Sequence, residues 1–163
     1  MMLILFALAL AQSGPVLGRD AAACDNGGGP AIRAEITGLK DRKGIARLEI
    51  YPPNATDFLA DDEPLTRAGK TFRRIDVKLP ASGPVTMCIR VPRPGRYALA
   101  FLHDRDANRK FNAFGDGAGF PSNQRIGRAR PKLAIALIEV GGGVTPATIR
   151  TQYLRGLRGF APL

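Results

Sequence analysis

The chain has 163 residues, of which 45% are hydrophobic and 23% charged, so it can bury the core of one domain. It carries 24 basic and 14 acidic residues, a formal net charge of +10, and a single histidine, His103. A zinc centre needs three or four nitrogen, sulfur or carboxylate ligands, so one histidine argues strongly against zinc.

An apolar run stands near the beginning of the chain. Leu3–Leu10 has the length of a signal-peptide core and is much shorter than the roughly 20 residues that cross a bilayer. We therefore predict a signal peptide within residues 1–23, a periplasmic or secreted bacterial protein, and no transmembrane helix once the signal is removed. The small-residue patterns Ala9–Ala11 and Ala21–Ala23 are alternative cleavage sites.

The two cysteines, Cys24 and Cys88, predict one disulfide, because extracytoplasmic compartments are oxidising. Closing a loop of about 65 residues would remove roughly 4 kcal/mol of denatured-state entropy in the chain-entropy model. The alternative is a lipoprotein in which Cys24 is acylated. Such proteins usually carry Leu three residues before the cysteine, where this chain has Ala21.

Apolar and polar residues alternate along most of the chain, which predicts β-strands. Two strands, at 32–37 and 46–51, are separated by a polar turn and are expected to pair antiparallel. The strand at 96–103 is apolar on both faces, as expected of a central strand. The others are predicted at 72–79, 85–91, 133–140 and 144–153, with a buried helical turn as the alternative at 133–137. Together they predict an all-β domain over residues 24–163, an antiparallel β-sandwich of immunoglobulin-like or transthyretin-like type with about seven strands.

The connection at 104–131 has no sustained periodicity, and a loop of that length is usually functional or mobile. It opens with oxygen-bearing side chains at alternate positions, a spacing typical of calcium loops. The predicted ligands are the side chains of Asp104, Asp106, Asn108 and Asn112 and the backbone carbonyl of Lys110. Arg109 stands where such loops have Gly, and Gly115 where they have a bidentate Glu. The alternative is a set of Asx turns that need no ion.

A second candidate site consists of basic side chains that could bind an anion. Arginine makes paired hydrogen bonds to phosphate or carboxylate, and Phe111, Phe114 and Phe120 would add apolar area. An exported protein meets lipid headgroups, lipopolysaccharide or peptidoglycan rather than nucleic acid. The alternative is a solvated basic face that only sets solubility. The residues predicted to bind the anion are Arg105, Arg109, Lys110, Arg125, Arg128 and Arg130.

Catalytic residues are not recognised in a familiar arrangement. A hydrolase would combine Ser122 or Ser82 with His103, but a nucleophile elbow and a phosphate-binding glycine loop are both missing from the sequence. We therefore expect a protein that is not an enzyme. Calcium is the single ligand that the spacing suggests, and no other cofactor is expected.

The tail at 154–163 has an apolar residue at every third position, which fits an extended or 3₁₀ segment with one apolar and one basic edge. We expect it to pack along the surface of its own domain. Contact with a membrane surface or a partner is the alternative.

Several short segments resemble the exported bacterial family catalogued as domain of unknown function 2141. They are His103–Asp104, Asn108-x-Lys110, Gly119–Asn123, Pro94–Ala98 and the glycines Gly38 and Gly44. The family's usual run reads His-Asp-Glu-Asn-Gly-Asn-Gly-Lys-Leu-Asp, from which this chain departs at Ala107, Arg109 and Asn112. The resemblance implies export and a β-sandwich but no activity, because the family is known by sequence rather than by reaction. We expect an uncharacterised, non-enzymatic envelope binding or structural module.

Overall fold

Two β-sheets face each other in the computed structural model, which describes residues 14–163. The first sheet has the order β1 (Val16–Leu17), β5 (Val85–Arg90), β2 (Ala31–Thr37), β9 (Val144–Arg150). The second has the order β11 (Phe160–Pro162), β10 (Gln152–Leu154), β7 (Gly117–Gly119), β6 (Gly95–Asp104), β3 (Ile45–Tyr51), β4 (Arg73–Lys78), and β8 (Leu137–Val140) also pairs with β6. The helices are α1 (Ala21–Asp25), α2 (Asp62–Arg67) and the 3₁₀ turns Leu133–Ile135 and Gly156–Arg158.

The predicted β-sandwich is confirmed. The seven predicted strands correspond to β2 to β6, β8 and β9, which are the strands of four or more residues within 14–163. The strand predicted at 133–140 is shorter, because Leu133–Ile135 forms a 3₁₀ turn, and the one predicted at 144–153 is interrupted at Thr151. The remaining strands have two or three residues, too few for an alternating pattern to be recognised. The second sheet is antiparallel, whereas the first also contains two parallel pairs, β1 with β5 and β2 with β9.

The predicted antiparallel pairing of the first two strands is wrong. β2 pairs with β5 and β9, whereas β3 pairs with β4 and β6 in the opposite sheet. The turn between them therefore crosses the sandwich. Gly44 ends this turn at a φ of 74°, and a side chain there would collide with the backbone carbonyl of Asp104. An alternating pattern shows which face of a strand is buried but not which strand lies beside it.

The main core lies between the sheets, and a second apolar cluster covers the outer face of the second sheet. Leu99 and Phe101 of β6 point into the main core, while Ala98 and Ala100 lie under the outer cluster. The predicted central strand is thus buried on both sides. A fully buried side chain such as Phe101 contributes about 1.5–3 kcal/mol to the free energy of unfolding.

The N-terminal part of the described chain is packed against the sandwich from before the predicted start of the domain. β1 pairs with β5, and the buried Asp20 accepts hydrogen bonds from Arg73 Nε at 2.7 Å and from the Arg90 backbone N–H at 2.9 Å. The predicted disulfide is present and joins Cys24 of α1 to Cys88 of β5. It uses the sulfur that acylation of Cys24 would require, so the structure favours the disulfide over the lipoprotein.

The C-terminal tail packs along the surface of its own domain, as expected. The chain makes a 3₁₀ turn at Gly156–Arg158 and then returns as β11 beside β10. Phe160 and Ala161 are buried, whereas Leu157 is exposed. No helix in residues 14–163 has both the length and the apolar character needed to cross a bilayer. The predicted signal core lies outside the described residues.

Candidate functional site

Three aspartates come together where β6 ends and β7 begins. Asp104 is the last residue of β6 and Asp116 immediately precedes β7. Because His103 is the register partner of Gly117, the two aspartates are neighbours just beyond the paired residues. Asp106 completes the group, and one carboxylate oxygen from each residue lies within 4.8 Å of the others. We refer to Asp104, Asp106 and Asp116 as the carboxylate cluster.

The oxygens of the carboxylate cluster are not equally satisfied. Asp116 accepts hydrogen bonds from the backbone N–H groups of Arg105 at 2.9 Å and Asn112 at 2.8 Å. Asp104 Oδ2 accepts one from the Arg109 backbone N–H at 2.7 Å, but Asp104 Oδ1 is buried and has no hydrogen-bond partner within residues 14–163. Burial and the negative charges of Asp106 and Asp116 raise the pKa of Asp104.

The cluster contains part of the predicted calcium ligand set. The structure brings Asp104 and Asp106 together. The two asparagines have other partners, since Asn108 Oδ1 accepts a hydrogen bond from the Lys110 backbone N–H at 2.7 Å, and Asn112 Oδ1 accepts one from the Phe114 backbone N–H at 3.0 Å. Asp106 Oδ1 likewise accepts a hydrogen bond from the Asn108 backbone N–H at 3.1 Å. Asp106 and Asn108 therefore form two of the Asx turns of the alternative interpretation, and Asn112 forms a further one. Calcium binding by Asp104, Asp106, Asn108, Lys110 and Asn112 stays a prediction.

Asp116 was missed because it follows the alternating run and has no distinctive neighbour in sequence. The Gly-Ala-Gly strand after it has a weak strand signal. Added Cβ atoms at Gly117 and Gly119 would lie only 2.5 Å from the Tyr153 ring and 2.6 Å from the Ile149 side chain. Glycine is therefore required for β7 to reach this register, and a close approach of this kind cannot be read from local sequence.

The predicted anion-binding residues separate into two groups. Arg105 pairs with Asp41 and donates to the Gly115 carbonyl at 3.0 Å, and Arg125 donates to the Arg158 carbonyl. Arg128 is exposed and does not line the cleft described next. The three that do line this cleft are Arg109, Lys110 and Arg130.

A cleft of about 600 Å³ opens over the outer face of the second sheet. One wall is the segment 59–62, which ends at the first residue of α2, and the other is the segment 109–111 of the loop that follows β6. We call it the outer cleft. Its lining comprises Arg47, Glu49, Tyr51, Leu59, Ala60, Asp61, Asp62, Arg74, Leu102, Arg109, Lys110, Phe111, Ala118, Phe120, Arg130 and Pro131.

The charges on the floor of the outer cleft are paired with one another. Glu49 is buried and accepts hydrogen bonds from the Tyr51 hydroxyl at 2.6 Å and from Arg74 Nε at 2.5 Å. Burial and the Glu49 carboxylate raise the pKa of Tyr51, so its hydroxyl stays protonated and donates. Arg47 pairs with Asp76 through Nε at 2.7 Å and Nη2 at 3.0 Å.

Positive charge in the loop wall is left without an acidic partner. Five basic and three acidic side chains line the outer cleft, and those of Arg109, Lys110, Arg130 and Asp61 form no ion pair with residues 14–163. The Arg130 guanidinium instead donates to the Phe58 carbonyl at 3.0 Å. Arg47 Nη1 donates to the Arg109 carbonyl at 3.1 Å and so holds this wall in place. Phe111, which follows, is 50% exposed. The cleft thus offers unpaired cations beside apolar surface.

His103 is fully buried and both ring nitrogens have partners. Nε2 lies 2.8 Å from the Lys43 carbonyl and Nδ1 lies 2.6 Å from the Tyr153 hydroxyl. A carbonyl can only accept, so Nε2 carries the hydrogen and Nδ1 accepts from Tyr153. Burial lowers the pKa of His103, which keeps this neutral form. Ser122 Oγ instead accepts a hydrogen bond from the Gln124 backbone N–H at 3.2 Å, so the serine and the histidine that a hydrolase would combine have separate partners.

Comparison with protein families identifies the chain. A family model described as an uncharacterized protein conserved in bacteria, domain of unknown function 2141, matches residues 34–148, which is more than half of the chain. The chain belongs to this family. The predicted resemblance is therefore confirmed. The comparisons with curated proteins and with solved structures gave no match.

The span matched by the domain of unknown function 2141 includes the carboxylate cluster and every residue that lines the outer cleft. Within it, Ala107 and Arg109 adopt φ angles of 57° and 65°. Glycine adopts such positive φ angles without strain, and the resemblance described above implies glycine at both positions. The loop after β6 therefore has a backbone conformation that glycine favours, although alanine and arginine occupy these positions.

Proposed function

We propose that this protein is an exported, non-enzymatic binding module that holds an anionic amphiphile, an envelope lipid, in the outer cleft. The observation that carries the proposal is that Arg109 and Lys110, which form no ion pair within residues 14–163, stand beside the half-exposed side chain of Phe111, with the buried Phe120 beneath. An anionic headgroup would contact the cations while the apolar part of the lipid would cover the aromatic surface.

The size and the lining of the outer cleft suit a small molecule. Binding clefts are typically about 300–1,000 Å³ and combine apolar walls with a few converging polar groups, and this one has about 600 Å³. Its floor is already neutralised, because Arg47 and Arg74 are held by Asp76 and Glu49. Binding of a ligand would therefore use charges at the rim and would leave no floor charge without a partner.

The apolar surface favours a lipid over a glycan as the anionic ligand. Leu59, Leu102 and Pro131 line the outer cleft together with the aromatic side chains, and a polar sugar chain would gain little from covering them. Export is supported by the disulfide, because such bonds persist in oxidising compartments. We infer a periplasmic or secreted location on this basis and on the apolar N-terminal run.

Short-chain lipids used below their micelle concentration test the proposal. We expect dihexanoyl phosphatidylglycerol to bind the purified protein at least tenfold more tightly than dihexanoyl phosphatidylcholine, as measured by calorimetry. NMR shifts should locate the contact at Phe111, Ala118 and Phe120. The double variant Arg109→Gln/Lys110→Gln should lose about tenfold in affinity, because two charge-assisted contacts disappear.

A matched control removes the same charge elsewhere. Arg128→Gln/Arg150→Gln changes two exposed arginines that do not line the outer cleft, and its affinity should match that of wild type. An equal loss in both double variants would contradict a cleft site and indicate a diffuse basic surface. Binding of soluble peptidoglycan fragments without binding of phosphatidylglycerol would reject the lipid.

A further inference from the structure

We propose that Asp104, Asp106 and Asp116 form a calcium-binding site at the junction of β6 and β7, separate from the outer cleft. The ligand set differs from the one that the sequence suggests, since Asp116 replaces the two asparagines. Two observations carry the proposal independently. They are the convergence of three carboxylates within 4.8 Å and the unsatisfied, buried Oδ1 of Asp104.

The unsatisfied oxygen is the more informative observation. Asp104 is 4% exposed, so water does not compensate its charge, and one oxygen of its carboxylate lies within 4.8 Å of an oxygen of both Asp106 and Asp116. A buried polar atom without a partner costs about 1–3 kcal/mol, and more when it is charged. Asx turns alone do not require this atom, because Oδ2 makes the turn contact to the Arg109 backbone N–H. A cation bound by the cluster would supply the missing partner.

The remaining geometry leaves room for a hard cation. Each hydrogen bond to Asp116 comes from a backbone N–H and uses one lone pair of an oxygen, so further lone pairs stay available. Asp106 is exposed, which gives the ion a path from solvent and leaves space for water in its coordination sphere. Calcium takes six to eight oxygen ligands with flexible geometry and fits a site completed by water.

Nearby basic side chains do not neutralise the cluster. The Arg105 guanidinium contacts Asp41 and the Gly115 carbonyl, while the side chains of Arg109 and Lys110 line the outer cleft. Within residues 14–163 no basic side chain forms an ion pair with the cluster. Its hydrogen bonds come from the backbone N–H groups of Arg105, Asn108, Arg109 and Asn112 and from the Asn108 side-chain amide, which carry no net charge.

Thermal unfolding and calorimetry of the metal-free protein test the site. After treatment with chelator, addition of about 10 mM calcium should raise the melting temperature of wild type by several degrees, because an ion that binds only the folded state stabilises it. Calorimetry should give one site per chain. Asp106→Asn and Asp104→Asn should each abolish the shift.

Asp104→Asn gives a second readout that a purely structural aspartate would not give. The amide can accept the Arg109 N–H and also donate toward Asp106 or Asp116, so this variant should melt above wild type in the absence of calcium. The control is Glu139→Gln, which changes an acid paired with Arg96 at the opposite end of β6 and should keep the full calcium shift.

Three results would overturn the proposal. These are a wild-type protein without a calcium shift, an Asp104→Asn variant that keeps the full shift, and a response to magnesium but not to calcium. If two carboxyl groups of the cluster shared a proton instead of binding calcium, wild type would show no calcium shift, and its melting temperature would depend on pH.

Discussion

At the scale of single residues, the buried His103 is held by a chain of hydrogen bonds with one consistent direction. The Lys40 backbone N–H donates to the Tyr153 oxygen at 2.9 Å, the Tyr153 hydroxyl donates to His103 Nδ1, and Nε2 donates to the Lys43 carbonyl. Burial raises the pKa of Tyr153 to about 12, so its hydroxyl remains a donor. This network ties the turn after β2 to β6 and β10.

We expect this histidine to make folding stability depend on pH. Its pKa in the folded state lies below 6.5, so as the pH falls the unfolded chain takes up a proton first. The free energy of unfolding should therefore be constant above about pH 7 and should fall by up to about 1.4 kcal/mol per pH unit below 6.5. Urea titrations between pH 5 and 8, in the presence of chelator, measure this free energy of unfolding as a function of pH.

The variant His103→Gln isolates this contribution. Glutamine can donate to the Lys43 carbonyl and accept from Tyr153 but does not titrate, so its stability should change less between pH 7 and pH 5. The charged groups near the ring are Asp41, 3.9 Å from Nε2, together with Arg105 and Asp116. If the free energy of unfolding of wild type and variant changed equally with pH, His103 would not be the titrating group, and nearby aspartates such as Asp41 and Asp116 would be the candidates instead.

At the scale of elements, β1 and α1 pack against the sandwich, so the domain begins N-terminal to the predicted residue 24. Gly18 in the connection between them has a φ of 100°, and an added Cβ would lie 2.6 Å from the Ile75 side chain. Asp20 then reaches Arg73 on β4 and the backbone of β5. This segment therefore bridges both sheets.

We expect signal cleavage near Ala11 rather than after Ala23. Cleavage after Ala23 would remove β1 and also Asp20, whose carboxylate accepts hydrogen bonds from Arg73 on β4 and from the Arg90 backbone N–H on β5, so the mature chain would lose stability. Mass spectrometry of the exported protein should find the new N-terminus before Gly14. A mature chain that begins at Cys24 and unfolds at the same urea concentration as a chain beginning at Gln12 would contradict this expectation.

The register of β6 and β7 is the element-scale feature that positions the carboxylate cluster. A one-residue shift would move Asp116 to the other face of the sheet, because side chains alternate along a strand. The glycines Gly117 and Gly119 allow β7 to approach Tyr153 and Ile149 on the inner face. Ala118 then points outward and forms part of the floor of the outer cleft.

At the scale of the whole molecule, the disulfide links the N-terminal segment to the first sheet. Cys24 and Cys88 are 64 residues apart in sequence and pack in a small apolar cluster with Ala23 and Ala31. The crosslink therefore restricts the unfolded chain over more than a third of its length.

We expect reduction of the disulfide to lower the free energy of unfolding by about 4 kcal/mol, the entropy of closing a loop of this length. Urea unfolding with and without dithiothreitol measures the difference. The double variant Cys24→Ser/Cys88→Ser is the control, since its midpoint should not respond to the reductant. A wild-type midpoint that is equally insensitive would show that the bond does not form in solution.

The parts of the fold that depend on local pattern were predicted from sequence. Alternation located the strands, and the presence of two cysteines left one intramolecular pairing. The apolar character of 96–103 indicated a strand covered on both sides. Each of these follows from a short-range property, the direction of successive side chains or the count of one residue type.

The candidate sites were only partly predicted, because their members are distant in sequence. Asp104 and Asp106 lie within one run, but Asp116 joins them through strand register. Likewise, Arg109 and Arg130 both line the outer cleft over β3 and β6, whereas Arg105 from the same loop pairs with Asp41.

By itself, then, the sequence determined the strand positions, the disulfide and the family of the chain. Tertiary structure alone decided that β2 and β3 lie in opposite sheets, which aspartates converge and where a cleft opens. The physical reason is that burial is encoded residue by residue, whereas the neighbour of a strand depends on how the whole chain closes two sheets around one core. The loop after β6 owes both its carboxylate cluster and one wall of the outer cleft to that closure.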